Sequence, residues 1–156
     1  MESLQEVKRR LDLESTSPNS KQIRMENFRV NVIVEGRPKL KPFAEDNWSD
    51  VQILSNNDYN QISASFRVPF PPCSRCQVPT NYIESGQFDK YNEPTRTMNA
   101  FRRGNDLIVD KAKAATLRPK DLKQVYFGIN LVVGTNDVSG REREMEISVG
   151  DNVFVS

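Results

Sequence analysis

Histidine is absent from this 156-residue chain, and its only two cysteines are Cys73 and Cys76. The lack of histidine excludes imidazole metal sites and nucleophile pairs that need an imidazole base. A tetrahedral zinc site wants four cysteine or histidine ligands, so this chain alone does not complete one. Soft-metal or thiol chemistry therefore has to start from the run Pro71-Pro72-Cys73-Ser74-Arg75-Cys76.

The cysteine pair leaves four alternatives: a disulfide, a redox couple, two inert thiols or one thiolate on a metal. No charged and then apolar leader opens the chain, which counts against a disulfide made in an oxidising compartment. A thioredoxin-type couple opens a helix, whereas Gln77-Val78-Pro79-Thr80 is typical of extended chain. Free cysteines often behave as small inert hydrophobes. The pair by itself leaves the alternatives open.

Long apolar runs and a charge excess are also missing. No apolar stretch approaches the roughly 20 residues that cross a bilayer, which predicts no membrane span and a cytoplasmic location. The net charge is +1 and 28% of residues are charged, so composition gives no support for nucleic-acid binding. A chain of this length fits one domain with a single core.

The first residues predict an amphipathic helix over 1–13. Leu4, Val7 and Leu11 recur at helical spacing, and Ser3 with Glu6 suggests a capping box at its start. Residues 14–24 are rich in serine, proline and asparagine. This stretch predicts a loop and a loosely docked helix.

The rest of the chain predicts mainly β structure with a few short peripheral helices. Alternation and β-branched residues predict a strand from Phe28 to Val34, closed by turn residues Glu35 to Pro38. Other predicted elements are strands at Val51 to Leu54, Gln61 to Val68, Cys76 to Val78, Val125 to Val133 and Asn152 to Val155, a helix within Asn92 to Phe101, and a turn at Pro119 to Leu122. Short, evenly spaced strands favour a closed or partly closed barrel.

A series of short motifs follows the first helix in a set order: Phe28-Arg29-Val30-Asn31, Phe43 to Trp48, Cys73-Ser74-Arg75-Cys76, Glu93-Pro94 to Phe101-Arg102, Phe127-Gly128 and Val149 to Phe154. This series resembles the C-terminal part of MOSC domains, the family found in molybdenum cofactor sulfurases and in the mitochondrial amidoxime-reducing component. The resemblance implies a MOSC-type mixed β-barrel core at residues 25–156 within a single domain, 1–156. It also implies that the family's N-terminal β region, with its basic residues for the cofactor's phosphate, is lacking.

Two stretches depart from the family pattern. Asn27 and Val30 stand where the family strand carries arginine and proline, and Asn81-Tyr82-Ile83 replaces a Val-Asp-Pro stretch. Cofactor contacts are not expected at these positions.

The resemblance implies that the chain binds the molybdenum cofactor, molybdopterin with its metal, and that Cys76 is both the metal ligand and the catalytic residue. A thiolate is a soft donor, and a neighbouring arginine would favour its deprotonated form. Cys73 is then a packing residue. Cofactor contacts are implied at Arg29, Asn31, Ser74, Arg75 and Thr80. Arg29 and Asn31 could instead be ordinary strand residues that face solvent.

By resemblance the chain is an oxidoreductase that reduces N-hydroxylated small molecules with electrons from partner proteins of the cytochrome b5 type. The alternatives are a noncatalytic shortened MOSC domain and a sulfur carrier with a persulfide on Cys76. Pyridoxal phosphate belongs, in the wider family, to a separate aminotransferase-like domain that nothing in this chain resembles. The family adds mitochondrial association as an alternative to the cytoplasm.

Overall fold

The computed structural model describes residues 1–14, 17, 22–36, 40–56, 62–133 and 145–156. The chain divides into two compact units, the first of Met1–Phe43 with Cys73–Phe127 and the second of Ala44–Pro72 with Gly128–Ser156. Sheets and helices are both present, with 31% of the described residues helical and 18% in strands. The predicted mainly β class is therefore only partly confirmed.

Most secondary-structure elements are short. The helices are α1 (Glu2–Glu14), α2 (Thr95–Met98), α3 (Gly104–Leu107) and α4 (Lys111–Ala115). The strands are β1 (Asp50–Leu54), β2 (Ile62–Arg67), β3 (Ser74–Arg75), β4 (Val125–Tyr126), β5 (Val132–Val133) and β6 (Asn152–Val155). Short 3-10 helices occupy Met25–Phe28, Ala44–Asn47, Val78–Thr80 and Asp121–Lys123.

The second unit is built on an antiparallel four-stranded sheet in the order β5-β2-β1-β6. Val51 and Ile53 alternate with exposed positions along β1 and share a small core with Ala64 of β2. This alternation is what a sheet with one buried face requires. Within the described residues neither this sheet nor the separate β3-β4 pair closes on itself. Of the predicted closed or partly closed barrel, the closed form is therefore not observed.

The first unit packs α1 into its core. Leu4, Val7 and Leu11 are buried with Phe28, Phe127 and other apolar residues. The helix prediction is confirmed, but the expected loose docking is wrong because the whole apolar stripe is covered.

The predicted capping box at the start of α1 does not form. Ser3 lies inside the helix, and its hydroxyl accepts a hydrogen bond from the Phe43 backbone N–H at 2.8 Å. Glu6 instead accepts side-chain hydrogen bonds from Arg9 and Arg10. The bond from Arg9, which has the largest effect, and the bond from Arg10 lower the pKa of the Glu6 carboxyl to about 2.

The strand predicted from Phe28 to Val34 is wrong. A 3-10 helix ends at Phe28, Arg29 turns the backbone into the left-handed region at φ 51°, and the following residues through 36 form no regular structure. Phe28 is buried and its ring stacks on Phe127 with centroids 4.0 Å apart. This tertiary contact outweighs the β preference of the local sequence.

Two other strand predictions shift or divide. The strand predicted at Cys76 to Val78 lies instead at Ser74–Arg75. Val78–Thr80 forms a 3-10 helix with Pro79 near its start. Proline is favoured there because the first N–H groups of a helix have no partner within the helix. The Val125 to Val133 strand splits into β4 and β5, with Gly128 between them at φ 71°, a conformation that favours glycine.

The remaining predictions hold in the described residues. Strands β1 and β6, the helix within Asn92 to Phe101 and the turn before Val125 are all present. Strand β2 is confirmed from Ile62 onward. Gln61, Arg37, Pro38 and most of the predicted loop at 14–24 lie outside the described residues. Helices α3 and α4 were not predicted.

The two stretches that depart from the family pattern contact each other. The Asn27 side chain is buried, donates to the Asn81 carbonyl oxygen at 2.9 Å and accepts from the Arg24 N–H at 2.8 Å. An arginine at position 27 has no acceptor and would lose the bond from Arg24. The residues that differ from the family pattern at 27 and 81 therefore stabilise the same local structure through this hydrogen bond.

Leu11 and Leu13 provide a matched test of how α1 docks. Leu11 is fully buried, whereas Leu13 is 72% exposed. We expect Leu11→Ala to lower the free energy of unfolding by about 2–5 kcal/mol because it opens a cavity in the core. Leu13→Ala should change it by no more than about 0.5 kcal/mol. Equal losses in urea titrations of the two variants would mean that α1 does not dock as described.

Candidate functional site

Cys76 follows directly after β3, which pairs antiparallel with β4. Ser74 is opposite Tyr126 and Arg75 is opposite Val125. The Cys73 carbonyl oxygen also accepts a hydrogen bond from the Phe127 N–H at 3.0 Å. Because β4 is buried, these bonds fix the backbone that leads to Cys76.

The two thiols have different surroundings. Both are free, with Cys76 exposed and Cys73 half-buried. Three residues of extended chain separate Cα atoms by roughly 10 Å, and Ser74 and Arg75 are both in a strand. A disulfide needs Cα atoms within about 7 Å. The pair is therefore not arranged as a disulfide or a dithiol redox couple, and Cys76 presents a single accessible thiol.

Arg75 ties this strand to two other segments. Its Nε donates to the Phe127 carbonyl oxygen at 2.9 Å, and its Nη1 donates to the Phe28 carbonyl oxygen at 2.8 Å. A planar guanidinium suits this task because its donors are held in a rigid fork. The residue before Cys76 is thus joined to the residue before Arg29.

The Arg75 guanidinium lies in a partly buried setting that includes both thiols. Burial lowers the pKa of Arg75 below its ordinary value, while negative charge at Cys73 and Cys76 acts in the opposite direction. Burial has the larger effect because desolvation disfavours a cation. Arg75 therefore supplies a positive charge close to the exposed thiol.

Arg29, Asn31 and Ser74, three of the predicted contact residues, are exposed. Arg29 follows Phe28, whose carbonyl oxygen accepts from Arg75, and the Arg29 N–H donates to the Glu26 carbonyl oxygen at 3.0 Å. A left-handed backbone is unusual for arginine, so the turn is held by its surroundings. Asn31 lies on a bend two residues later. Neither residue belongs to the strand that was predicted to carry it.

Thr80 is in a different setting. It is only 2% exposed, and its hydroxyl donates to the Gln77 carbonyl oxygen at 2.6 Å. Its carbonyl oxygen accepts from the Asp89 N–H at 2.7 Å. The structure therefore uses Thr80 to hold the 3-10 helix after the cysteines, and its cofactor contact stays a prediction.

Two buried acids of the first unit were not among the predicted site residues. Asp89 accepts hydrogen bonds from Ser17, from Tyr82 and from the N–H groups of Tyr91 and Glu93. Burial alone raises the pKa of Asp89, but the bonds from Tyr82 and then the others outweigh it, and its pKa falls below the ordinary value.

Glu93 is the second buried acid. Its carboxylate accepts from Arg96 Nε and from the Thr97 N–H, each at 3.0 Å. In the sequence, the Glu93-Pro94 motif is the signal that singles out this residue. The hydrogen bonds described for the two acids come from backbone N–H groups and from side chains other than the cysteines.

The described residues contain no group of three or more histidine, cysteine, aspartate or glutamate side chains that could hold a metal ion. Among the helices in the described ranges, none has the length and apolarity to cross a membrane.

Comparison with known proteins points to one family. A family model described as the MOSC domain matches residues 1–154. Molybdenum cofactor sulfurase of Arabidopsis thaliana is 29% identical over 104 residues, which cover 65% of this chain and 11% of that protein. Mitochondrial amidoxime reducing component 2 of Macaca fascicularis is 25% identical over 112 residues, which cover 72% of this chain and 28% of that protein. The matched chain thus spans about a tenth to just over a quarter of these relatives.

The separation of the two cysteines predicts how they oxidise. We expect oxidised glutathione to form a mixed disulfide at Cys76 of the folded protein and no internal Cys73-Cys76 bond, because β3 holds the two residues apart. Peptide mass spectrometry distinguishes the two products. Protein unfolded in guanidinium is the control, where the internal disulfide is free to form. An internal bond that forms equally well in the folded protein would contradict the geometry.

The bonds of Arg75 predict a graded loss of stability. Arg75→Met leaves two backbone carbonyls without their charged donor, and we expect the free energy of unfolding to fall by about 2–4 kcal/mol. Arg75→Lys should lose less, since one ammonium can reach a carbonyl but cannot reproduce the fork. Arg67→Met, at an exposed position of β2, is the control, with a change within about 0.5 kcal/mol. Equal changes in the free energy of unfolding for the position 75 and position 67 variants would contradict the stabilising role of the Arg75 hydrogen bonds.

Proposed function

Because this chain belongs to the MOSC domain family, we propose that it binds the molybdenum cofactor with the Cys76 thiolate as the protein ligand to the metal. The observation that carries this proposal is the position of Cys76, exposed at the end of a strand whose backbone and preceding side chain are both anchored. A soft, accessible thiolate beside a cation is a suitable single ligand for a metal that its cofactor already coordinates.

Three of the residues that the family implies as cofactor contacts are free of the buried backbone bonds that hold the other two. Arg29, Asn31 and Ser74 are exposed and carry donors that could bind a heterocycle edge or a phosphate. Arg75 and Thr80 fit less well as direct contacts, because Arg75 commits Nε and Nη1 to carbonyls and Thr80 commits its hydroxyl proton to Gln77. We assign these two residues a supporting role.

We further propose that the substrates are N-hydroxylated small molecules. When bound, the cofactor would supply two-electron redox chemistry that, with two protons, removes the N-hydroxyl oxygen as water. The chain would contribute the Cys76 ligand and hold its backbone with β4. Arg75 would keep a positive charge next to the thiolate, and Arg29 and Asn31 would orient the polar edge of the cofactor.

A sulfur-carrier role is the second candidate, because Cys76 is exposed and extended chain keeps Cys73 out of disulfide range. A persulfide on Cys76 would therefore not be lost to attack by Cys73. Sulfur loading followed by mass spectrometry of the native protein tests this role. A reducible addition of one sulfur atom on Cys76 supports it, and an unmodified thiol counts against it.

Molybdenum content tests the main proposal. We expect protein from a cofactor-producing host to carry molybdenum in near-stoichiometric amount by elemental mass spectrometry, and Cys76→Ser to lose most of it. A serine hydroxyl is a harder and more weakly coordinating donor than a thiolate.

Cys73→Ser is the matched control for the loss of one thiol, and it should keep the metal. Loss in both variants would indicate a general effect on folding. Absence of molybdenum from wild type as well would contradict cofactor binding and favour a noncatalytic MOSC domain.

A further inference from the structure

Strand β6 forms one edge of the four-stranded sheet in the second unit. The strand order β5-β2-β1-β6 gives it a single neighbour, β1, within the described residues. Proteins commonly protect such an edge with lysine, proline or a bulge, because its free backbone groups can pair with another chain. The residues of β6, Asn152-Val153-Phe154-Val155, include no charge and no proline, and its pairing with β1 is regular. The described part of this edge therefore lacks protection against a further strand.

The free side of β6 offers backbone groups in a regular order. Ser156, the next residue, directs both of its groups toward β1: its N–H donates to the Asp50 carbonyl oxygen at 3.2 Å, and its carbonyl oxygen accepts from the Ser49 N–H at 2.7 Å. Backbone groups point to alternate sides along an antiparallel strand. The N–H and C=O groups of Val153 and Val155 therefore point to the free side.

The side chains of β6 leave apolar surface exposed on both faces of this edge. Phe154 is opposite Gln52 on the solvent face of the sheet and is 57% exposed. Val155 is opposite the buried Val51 on the other face, yet it is 41% exposed. Three more exposed apolar residues lie in the chain just before the strand: Met145, Ile147 and Val149. Exposed apolar surface of this kind marks an interaction site.

We propose that β6 pairs antiparallel with β6 of a second copy of this chain, around a twofold axis at Phe154. In this register Val153 of each copy is opposite Val155 of the other, and the free N–H groups of these two residues meet free C=O groups. Phe154 then faces Phe154 of the second copy as a non-hydrogen-bonded pair. That kind of pair brings side chains closest, so the two rings meet on the solvent face. The two four-stranded sheets become one sheet of eight strands.

The composition of β6 favours a second copy over a different protein. An uncharged strand has no side chain that selects a partner of opposite charge. A twofold axis matches the strand to itself and places no like charges directly opposite each other. The inference does not depend on the proposed function, because β6 belongs to the second unit and Cys76 to the first.

The size of the edge predicts a weak dimer. Each β6 has four residues, whereas a standard stable interface uses roughly 20–30 residues a side. We therefore expect a dissociation constant on the order of 100 µM.

Sedimentation velocity of the full chain between about 10 and 500 µM tests the pairing, because mass action favours a dimer as concentration rises. We expect the wild type to shift from monomer to dimer over this range. Phe154→Lys should weaken dimerisation at least about tenfold, since it places two lysines directly opposite each other. The matched control is Val132→Lys, at a residue 53% exposed on the other edge strand, β5, which should stay within about twofold of wild type. Urea titration checks that each variant is folded.

A mixture of Phe154→Lys and Phe154→Glu tests the register. Opposite charges face each other only in the mixed dimer, which should form at least about threefold more tightly than the dimer of either variant alone. Phe154→Lys mixed with Val132→Glu is the control and should show no such rescue. Recovery confined to the position 154 mixture also shows that the single variants lost pairing and not folding.

A wild type that stays monomeric at the highest concentration would overturn the proposal in favour of a different occupant of the edge. Equal losses in Phe154→Lys and Val132→Lys would also overturn it, as would assembly beyond the dimer. Absence of rescue in the position 154 mixture would contradict the twofold register.

Discussion

The candidate site depends on the two hydrogen bonds that the Arg75 guanidinium donates to backbone carbonyl oxygens. The guanidinium joins β3 to the Phe28 and Phe127 carbonyls, and the stacked rings of those two phenylalanines lie in the core that also covers α1. A charged donor that satisfies two carbonyls in a partly buried place is worth more than a neutral one, and its removal leaves both acceptors short of a partner. Cys76 can be exposed and still be held in place because the residue before it is tied in this way.

The motifs that reveal the family are mostly structural. Glu93 binds the first turn of α2 through the Thr97 N–H. Arg102 is buried, donates to the Tyr126 carbonyl and lies over the Phe43 ring at 4.1 Å. Their buried polar groups need particular partners, which restricts the residue types that fit. The resemblance is therefore evidence for a shared fold, while the proposed chemistry rests on Cys76.

The sequence predicted secondary structure correctly where the local spacing of apolar residues agreed with the face that is buried in the folded protein. Helix α1 and strand β1 were predictable because their apolar periodicity matches the face they bury. The Phe28 to Val34 strand was not, since alternation cannot show that Phe28 is needed for stacking on Phe127, 99 positions further along the chain by number. Among the predicted site residues, Cys76 is exposed, and its role as the metal ligand stays a prediction. The commitments of Arg75 and Thr80 to backbone partners depend on long-range or turn geometry that spacing does not encode.

The most direct test of cofactor ligation is differential alkylation of the two thiols in molybdenum-loaded and metal-free protein, read by peptide mass spectrometry. We expect Cys76 to react in the metal-free protein and to be protected in the loaded one, because a coordinated sulfur is not available as a nucleophile. Cys73 should react to the same extent in both samples. Equal reactivity of Cys76 with and without bound molybdenum would contradict its role as the metal ligand.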